Sequence, residues 1–98
     1  MAQGKAGPRS EFARLFGLNL ARAREQAGLS QEELGFQASL HRTAVGQLER
    51  GERAPRLDSA VRLASTLELP IGTLLRGISW KPPKLEIGSF HFSENDEI

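Results

Sequence analysis

Residues 29–51, LSQEELGFQASLHRTAVGQLERG, decide the fold of this chain. Apolar residues recur in this stretch at the three- and four-residue spacing of helices, with a short break in the middle. We therefore predict two short helices joined by a tight turn. The second helix has a polar, basic outer face and ends at Gly51. Two helices set across each other in this way can place the second one in the major groove of DNA.

The local signals within this stretch support the two-helix prediction. Ser30 and Glu33 are three residues apart and form a capping box that opens the first helix. Ser39 lies in the turn, where a left-handed backbone would cost free energy unless the turn is altered. His41 is a mediocre cap for the second helix, which we expect over Arg42–Arg50. The residues expected to face inward are Leu34, Ala38, Val45 and Leu48.

Three further helices are predicted around this pair. The first runs over Glu11–Ala27, with Ser10 as its cap and Gly28 as its end. The fourth covers about Leu57–Leu67, and a short fifth covers about Pro70–Arg76, with Pro70 in its first turn. Their apolar positions are Phe12, Phe16, Leu20, Ala23 and Ala27, then Leu57, Ala60, Val61, Ala64 and Leu67, and last Ile71, Leu74 and Leu75. The fold class is thus all-α.

The ends of the chain differ from this five-helix domain, which we place at residues 11–77. Residues 1–10 are small, polar and basic, and we interpret them as a flexible arm whose Lys5 and Arg9 could reach a duplex. Residues 78–98 contain KLEIGSFHF, where apolar residues alternate from Leu85 to Phe92 with Gly88 between them. This pattern predicts an extended, strand-like segment, and the acidic SENDEI follows it.

Composition excludes several classes of protein. The 98 residues include no cysteine, so disulfides and thiolate metal sites are impossible, and two distant histidines do not suggest zinc. No apolar run is long enough to span a membrane. We therefore expect a cytoplasmic chain without a cofactor or metal. Residues 1–56 carry nine Lys/Arg against six Asp/Glu, and eight of those nine cations are arginine, which suits contacts to phosphate and guanine.

The five helices, with LSQEEL, LHRT and LERG in this order, resemble the helix-turn-helix of the phage repressor and Cro superfamily, often called the XRE family. The resemblance covers about residues 12–77. Two positions depart from the usual pattern, because Gly35 stands where the family usually has alanine and Ser39 where it usually has glycine. The resemblance implies a repressor-like DNA-binding domain.

The expected DNA contacts fall into two groups. Helix three supplies the candidate base contacts, which are Arg42, Thr43, Gly46 and Gln47, and Gly46 would let its backbone approach closely. Candidate phosphate contacts are Gln31, His41, Arg50, Arg53 and Arg56, of which Gln31 follows from the resemblance. The resemblance also implies that Glu49 forms a structural ion pair with Arg24 rather than facing a base.

Assembly is the next expectation. One such motif contacts about half a site, so we expect a homodimer on a palindromic operator. The candidate interface is apolar and includes the C-terminal extension, which alternatively covers its own domain. Its residues are Ile71, Leu74, Leu75, Trp80, Leu85, Ile87, Phe90 and Phe92.

The leading functional hypothesis is a sequence-specific transcriptional regulator, a repressor or autoregulator, associated with double-stranded DNA in the nucleoid. Phage-type repressor, antitoxin and restriction–modification controller remain open as subclasses. The alternative is an adaptor whose five-helix domain and tail dock an unidentified partner protein. We expect no enzyme, because the sequence contains no Ser/His/Asp set, glycine-rich phosphate loop or pair of acids in a cleft.

Overall fold

A computed structural model describes residues 10–83 and 88–93 of the chain. In this part of the chain five helices are followed by an antiparallel pair of strands. The helices are α1 Glu11–Gln26, α2 Gln31–Gln37, α3 Ala44–Glu49, α4 Leu57–Thr66 and α5 Ile71–Leu74, and the strands are β1 Ile78–Lys81 and β2 Ser89–Phe92. The all-α domain with a strand-like extension is thus confirmed, although the extension contains two strands where we expected one.

Helix α1 lies at the centre of the packing. Ser10 caps it as predicted, because its Oγ accepts a hydrogen bond from the backbone N–H of Ala13 at 3.1 Å. The helix contacts α3, α5 and both strands, so it buries more than the single face that periodicity indicates. The unpredicted buried residues are Ala13, Leu15, Gly17 and Asn19. Ala27, expected on the apolar face, is instead the exposed C-cap, because the helix has passed its packing partners there.

Four helices end in the same way, with one residue in the left-handed conformation. Glycine occupies this position after α1 and α3, where Gly28 and Gly51 have φ of 76° and 73°. Ser39 and Glu68 take it after α2 and α4, each with φ of 59°. In every case the next residue donates a hydrogen bond back to the helix, as Leu40 N does to Gly35 O at 2.9 Å after α2. The sequence left open whether Ser39 is left-handed or the turn is altered; the structure has the left-handed conformation, and its backbone strain is a cost that glycine would avoid.

Helix α4 corrects part of the predicted core. Its buried face consists of Ala60, Leu63 and Ala64, whereas Leu57 and Val61 are 78% and 48% exposed. Leu57 is the first residue of α4, three residues before Ala60, and lies beyond the edge of the core. Val61 is rotated by about 100° from Ala60 on the helix. Leu63, which we did not single out, is fully buried because it completes the three- and four-residue spacing from Ala60 to Leu67.

A buried asparagine joins α1 to the end of α5. Asn19 is 7% exposed, and its side-chain Nδ2 donates to the carbonyl oxygens of Leu74 at 2.9 Å and Arg76 at 3.1 Å. These carbonyls lie where a short helix has ended and lacks its own donors. Helix α5 is shorter than predicted, since it begins after Pro70, which is its extended N-cap rather than a first-turn residue.

The two strands form a hairpin against α1. Ile78 pairs with Phe92 and Trp80 with Phe90, so these four residues share one side of the sheet. The Phe90 ring lies 5.0 Å from those of both Phe12 and Trp80, measured between centroids. The strand predicted over Leu85–Phe92 is observed at Ser89–Phe92, and residues 84–87, with Leu85 and Ile87, lie outside the described residues. The pairing strand Ile78–Lys81 was missed.

Candidate nucleic-acid interface

The turn before α3 is longer than the sequence indicates. We expected the helix to begin at Arg42, but it begins at Ala44, with Thr43 at the N-cap. The His41 carbonyl accepts from Ala44 N at 2.8 Å, and the His41 ring Nδ1 accepts from Thr43 N at 3.3 Å. These bonds close a turn over residues 41–44. Arg42 and Thr43 therefore precede the helix rather than forming its first turn.

The four predicted base-contact residues have different surroundings. Arg42 and Thr43 are exposed, and Gln47 is partly exposed one turn further along. The hydroxyl of Thr43 lies 3.0 Å from His41 Nδ1. Gly46 is buried, so it does not lie on an open outer face as expected. A Cβ at Gly46 would be 3.3 Å from Gln31 Oε1 and 3.0 Å from Arg50 Nη1, which shows that these two side chains cover its backbone.

The structure brings Arg24 and Glu49 together as a bidentate ion pair. Arg24 Nε donates to Glu49 Oε2 at 2.6 Å, and Nη2 donates to Oε1 at 3.1 Å. The two side chains are only 14% and 6% exposed. Hydrogen bonding to Glu49 raises the pKa of the Arg24 guanidinium, against the lowering effect of burial. Arg24 Nη1 also donates to the carbonyl of Leu29 at 2.9 Å, so the pair fixes the loop between α1 and α2.

Gln31 joins the same carboxylate from α2. Its Nε2 donates to Glu49 Oε1 at 2.9 Å. Because an ionised carboxylate can only accept, the amide nitrogen of Gln31 must be the atom that faces it. One N–H of that amide is used by this bond, and the second has no acceptor among residues 10–83 and 88–93. Glu49 thus joins α1, α2 and α3, and the interaction between Gln31 and Glu49 was not predicted.

The cations that flank α3 are held loosely. Arg50 Nε donates to Glu52 Oε2 at 2.6 Å, and Arg56 Nε donates to Asp58 Oδ1 at 3.2 Å. Both arginine side chains are more than half exposed, at 58% and 84%, so water screens these pairs. Arg53 lies exposed between them on the loop. Replacing these carboxylate partners with a phosphate group would therefore cost little free energy.

Helix α3 is held unusually close to α1. A Cβ at Gly17 would lie 2.6 Å from the carbonyl oxygen of Glu49, and it would also collide with that of Leu48. Real side chains do not tolerate such a distance to backbone atoms, so only glycine fits there. The sequence gives no signal for this role, because Gly17 lies within an otherwise ordinary helical pattern. The contact fixes the C-terminal end of α3 against the central helix.

The residues proposed for assembly do not form one exposed patch. Leu74 is fully buried in the core, so it cannot belong to a surface, and Ile71 and Leu75 pack partly against that core. Trp80, Phe90 and Phe92 lie together on the hairpin and remain 52%, 37% and 39% exposed. The hairpin contacts α1, so the described part of the extension covers its own domain on one side.

Within 10–83 and 88–93, no three His, Asp or Glu side chains are grouped so that they could hold a metal ion. Nor is any helix in that part of the chain long and apolar enough to cross a membrane.

The fold and this site define the class of protein. Residues 20–74 match the helix-turn-helix family HTH_3, and the chain belongs to this family. It is a transcriptional regulator of the XRE helix-turn-helix type, homologous to restriction–modification controller proteins. The hairpin begins at Ile78 and lies outside the matched residues.

Three proteins of known sequence or structure are similar to this chain. The control protein C.BamHI of Bacillus amyloliquefaciens is 37% identical over 54 residues, which are 54% of this chain and 67% of that protein. The uncharacterized HTH-type transcriptional regulator y4dJ of Sinorhizobium fredii is 35% identical over 57 residues, which are 58% and 74% of the two chains. The crystal structure of the restriction–modification controller protein C.AhdI of Aeromonas hydrophila is 39% identical with a TM-score of 0.62, covering 63% of this chain and 94% of that chain.

Proposed function

We propose that the chain binds a palindromic DNA operator as a homodimer and regulates transcription as a restriction–modification controller. The proposal rests on one observation: side chains at the start of α3 are exposed, while the helix itself is held firmly by α1 and α2. Arg42, Thr43 and Gln47 are accessible there. Behind them, Glu49 is fixed by hydrogen bonds from α1 and α2. A helix held this firmly can enter a major groove without losing much conformational freedom.

The side chains have separate roles in this proposal. Arg42, Thr43 and Gln47 contact base edges, and Arg42 is suited to guanine because its guanidinium presents two parallel donors. Gln31, His41, Arg50, Arg53 and Arg56 contact phosphates and set the register of the protein on the duplex. Gly46 is not assigned a base contact, because Gln31 and Arg50 cover it. Lys5 and Arg9 of the N-terminal arm lie outside the described residues.

Selection of bound duplexes from a random pool tests the DNA-binding proposal. We expect a two-fold symmetric site whose half-sites are about one helical turn apart, roughly 34 Å. Specific binding should exceed random-sequence binding by a factor of about 10³ or more. Undetectable binding of any duplex at low salt would overturn the proposal and favour the protein-docking alternative.

A matched pair of variants tests the division between base and phosphate contacts. Arg42→Ala should relax base preference at one position of each half-site, at a cost of about 1–3 kcal/mol. Arg53→Ala should weaken binding to all sequences alike and reduce the salt dependence by about one phosphate contact. If both variants lose affinity uniformly across sequences, the assigned roles are wrong.

The controller subclass rests on the relatives. Both C.BamHI and C.AhdI are named as controllers of this kind, and their identities to this chain are 37% and 39%. Mapping of the bound sites in the native genome tests the assignment. A controller should occupy sites beside genes for a restriction endonuclease and its methyltransferase. Occupied sites that lie only beside unrelated genes would refute this subclass and leave DNA binding intact.

The hairpin supplies the proposed dimer contact. Trp80, Phe90 and Phe92 leave an exposed aromatic face that a second copy would cover. Analytical ultracentrifugation of the full chain should show a dimer that Trp80→Ser weakens. Phe36→Ser is the matched control, because Phe36 is 85% exposed on α2, away from the hairpin sequence. A Trp80→Ser variant that dimerises as tightly as wild type would assign the hairpin to its own domain alone.

A further inference from the structure

Gly46 lies in the middle of α3, between the exposed start of the helix and Glu49. In this chain the position is bare and buried. The atoms that would be nearest to a side chain there are the ends of two proposed phosphate contacts, Arg50 Nη1 at 3.0 Å and Gln31 Oε1 at 3.3 Å from an ideal Cβ. Both distances are tighter than ordinary contact. The two side chains therefore pack directly on the backbone of α3 at Gly46. We call this backbone surface the seat.

The orientation of Gln31 on this seat is fixed by chemistry. Its Nε2 donates to Glu49 Oε1, so its Oε1 points toward Gly46. Glu49 cannot turn away, because Arg24 holds both of its carboxylate oxygens. Two contacts thus fix the Gln31 amide. Its nitrogen donates a hydrogen bond to Glu49, and its oxygen packs against the backbone of Gly46. The remaining N–H is directed away from Glu49.

We infer that Gly46 is a positioning residue, which by lacking a side chain lets Glu49 aim the free N–H of Gln31 at a DNA phosphate. This inference rests on the proposed DNA binding and explains how one phosphate contact is set. A methyl group at position 46 displaces Gln31 by a few tenths of an ångström, and a larger side chain removes it from the seat. Glycine costs helix stability at this position, and the positioning of Gln31 accounts for its presence.

Graded substitution at Gly46 tests the inference on the full-length chain. Affinity for the selected operator should fall about threefold in Gly46→Ala and about tenfold in Gly46→Leu, which corresponds to the loss of one hydrogen bond. Thermal stability should stay level or rise in both variants, because alanine and leucine favour helices more than glycine does. A purely structural role would move stability and affinity in the same direction. Gly35→Ala is the matched control: its added Cβ would meet Val45 Cγ2 at 3.5 Å, His41 O at 3.8 Å and Leu40 O at 3.9 Å, all ordinary contacts, and its operator affinity should not change.

A double-mutant cycle identifies the side chain through which Gly46 acts. In a Gln31→Ala background, Gly46→Leu should cause no further loss of affinity, because the Gln31 amide that leucine would displace is already absent. The salt dependence should also be unchanged, since Gln31 is uncharged and releases no counterion.

Three results would overturn the inference. Wild-type affinity in Gly46→Leu would show that the seat is irrelevant. A loss that persists in the Gln31→Ala background would show that the new side chain obstructs the duplex directly. A loss of operator affinity together with a shallower salt dependence would show that Gly46 acts through Arg50 and not through Gln31. Each of these outcomes is distinct from failure of the proposed function, in which the wild-type chain itself does not bind.

Discussion

Replacement of Gly17 by alanine probes the contact that fixes α3 against α1. The added Cβ would lie 2.6 Å from Glu49 O and 2.9 Å from Glu49 C. These distances are about 1 Å short of ordinary carbon contacts. The obstructing atoms belong to the backbone, so no side-chain rotation relieves them, and the two helices must separate.

The expected cost follows from two opposing effects. Overpacking of a tight contact costs about 1–3 kcal/mol, and this site belongs near the upper end because backbone must move. The better helix propensity of alanine offsets about 0.5–1 kcal/mol of this cost. The free energy of unfolding should therefore fall by about 2 kcal/mol, which lowers the melting temperature by roughly 8–16 °C for a domain of this size.

Thermal unfolding followed by circular dichroism at 222 nm measures this effect. Gly35→Ala is again the control, because its Cβ is accommodated and its helix propensity improves, so its melting temperature should rise. The reasoning would be refuted by a Gly17→Ala variant that melts at or above the wild-type temperature. That result would mean that α1 and α3 have room to adjust.

Three other substitutions test the fold and the support of α3. Ser39→Gly should stabilise the chain by about 1 kcal/mol in urea unfolding, because glycine adopts a φ of 59° without the strain of a side chain; no gain would contradict a left-handed turn. Asn19→Ala should destabilise by about 1–3 kcal/mol, since it leaves buried carbonyl groups without donors, and an unchanged urea midpoint would argue against its role. Arg24→Ala should destabilise by about 3–5 kcal/mol because it leaves the carboxylate of Glu49 buried and unpaired, whereas the same change at the exposed Arg14 should have little effect. Equal losses at the two arginines would show that burial does not decide the strength of these pairs.

Local signals predicted most of the helices, because capping and helix termination depend on a few neighbouring residues. Ser10 and Ser30 cap α1 and α2, and Gly28 and Gly51 end α1 and α3. The same reasoning failed before α3. There His41 closes a turn with its own ring and carbonyl, and this delays the helix by two residues. Such a turn depends on side-chain geometry that spacing alone does not reveal.

Burial was predicted less well, because periodicity gives the direction of a face but not the position of the neighbouring helices. Leu57 has the correct spacing for the α4 core face, yet lies beyond the core and is exposed. Leu74 was placed on a surface, although α5 turns it fully inward. Both errors concern the ends of elements, where the direction of the next helix decides what is covered.

The sequence by itself determined the helix-turn-helix, since the capping box, the turn and the apolar spacing of residues 29–51 all act over a few residues. Only the tertiary structure decided how the reading helix is supported. Glu49 receives hydrogen bonds from α1 and α2, Gly17 admits the backbone of α3, and Gly46 lies beneath Gln31 and Arg50. Apart from the contact between Gly46 and Arg50, these contacts join residues that are 15 or more positions apart. Their distances depend on how whole helices pack, and no pattern along the chain encodes that packing directly.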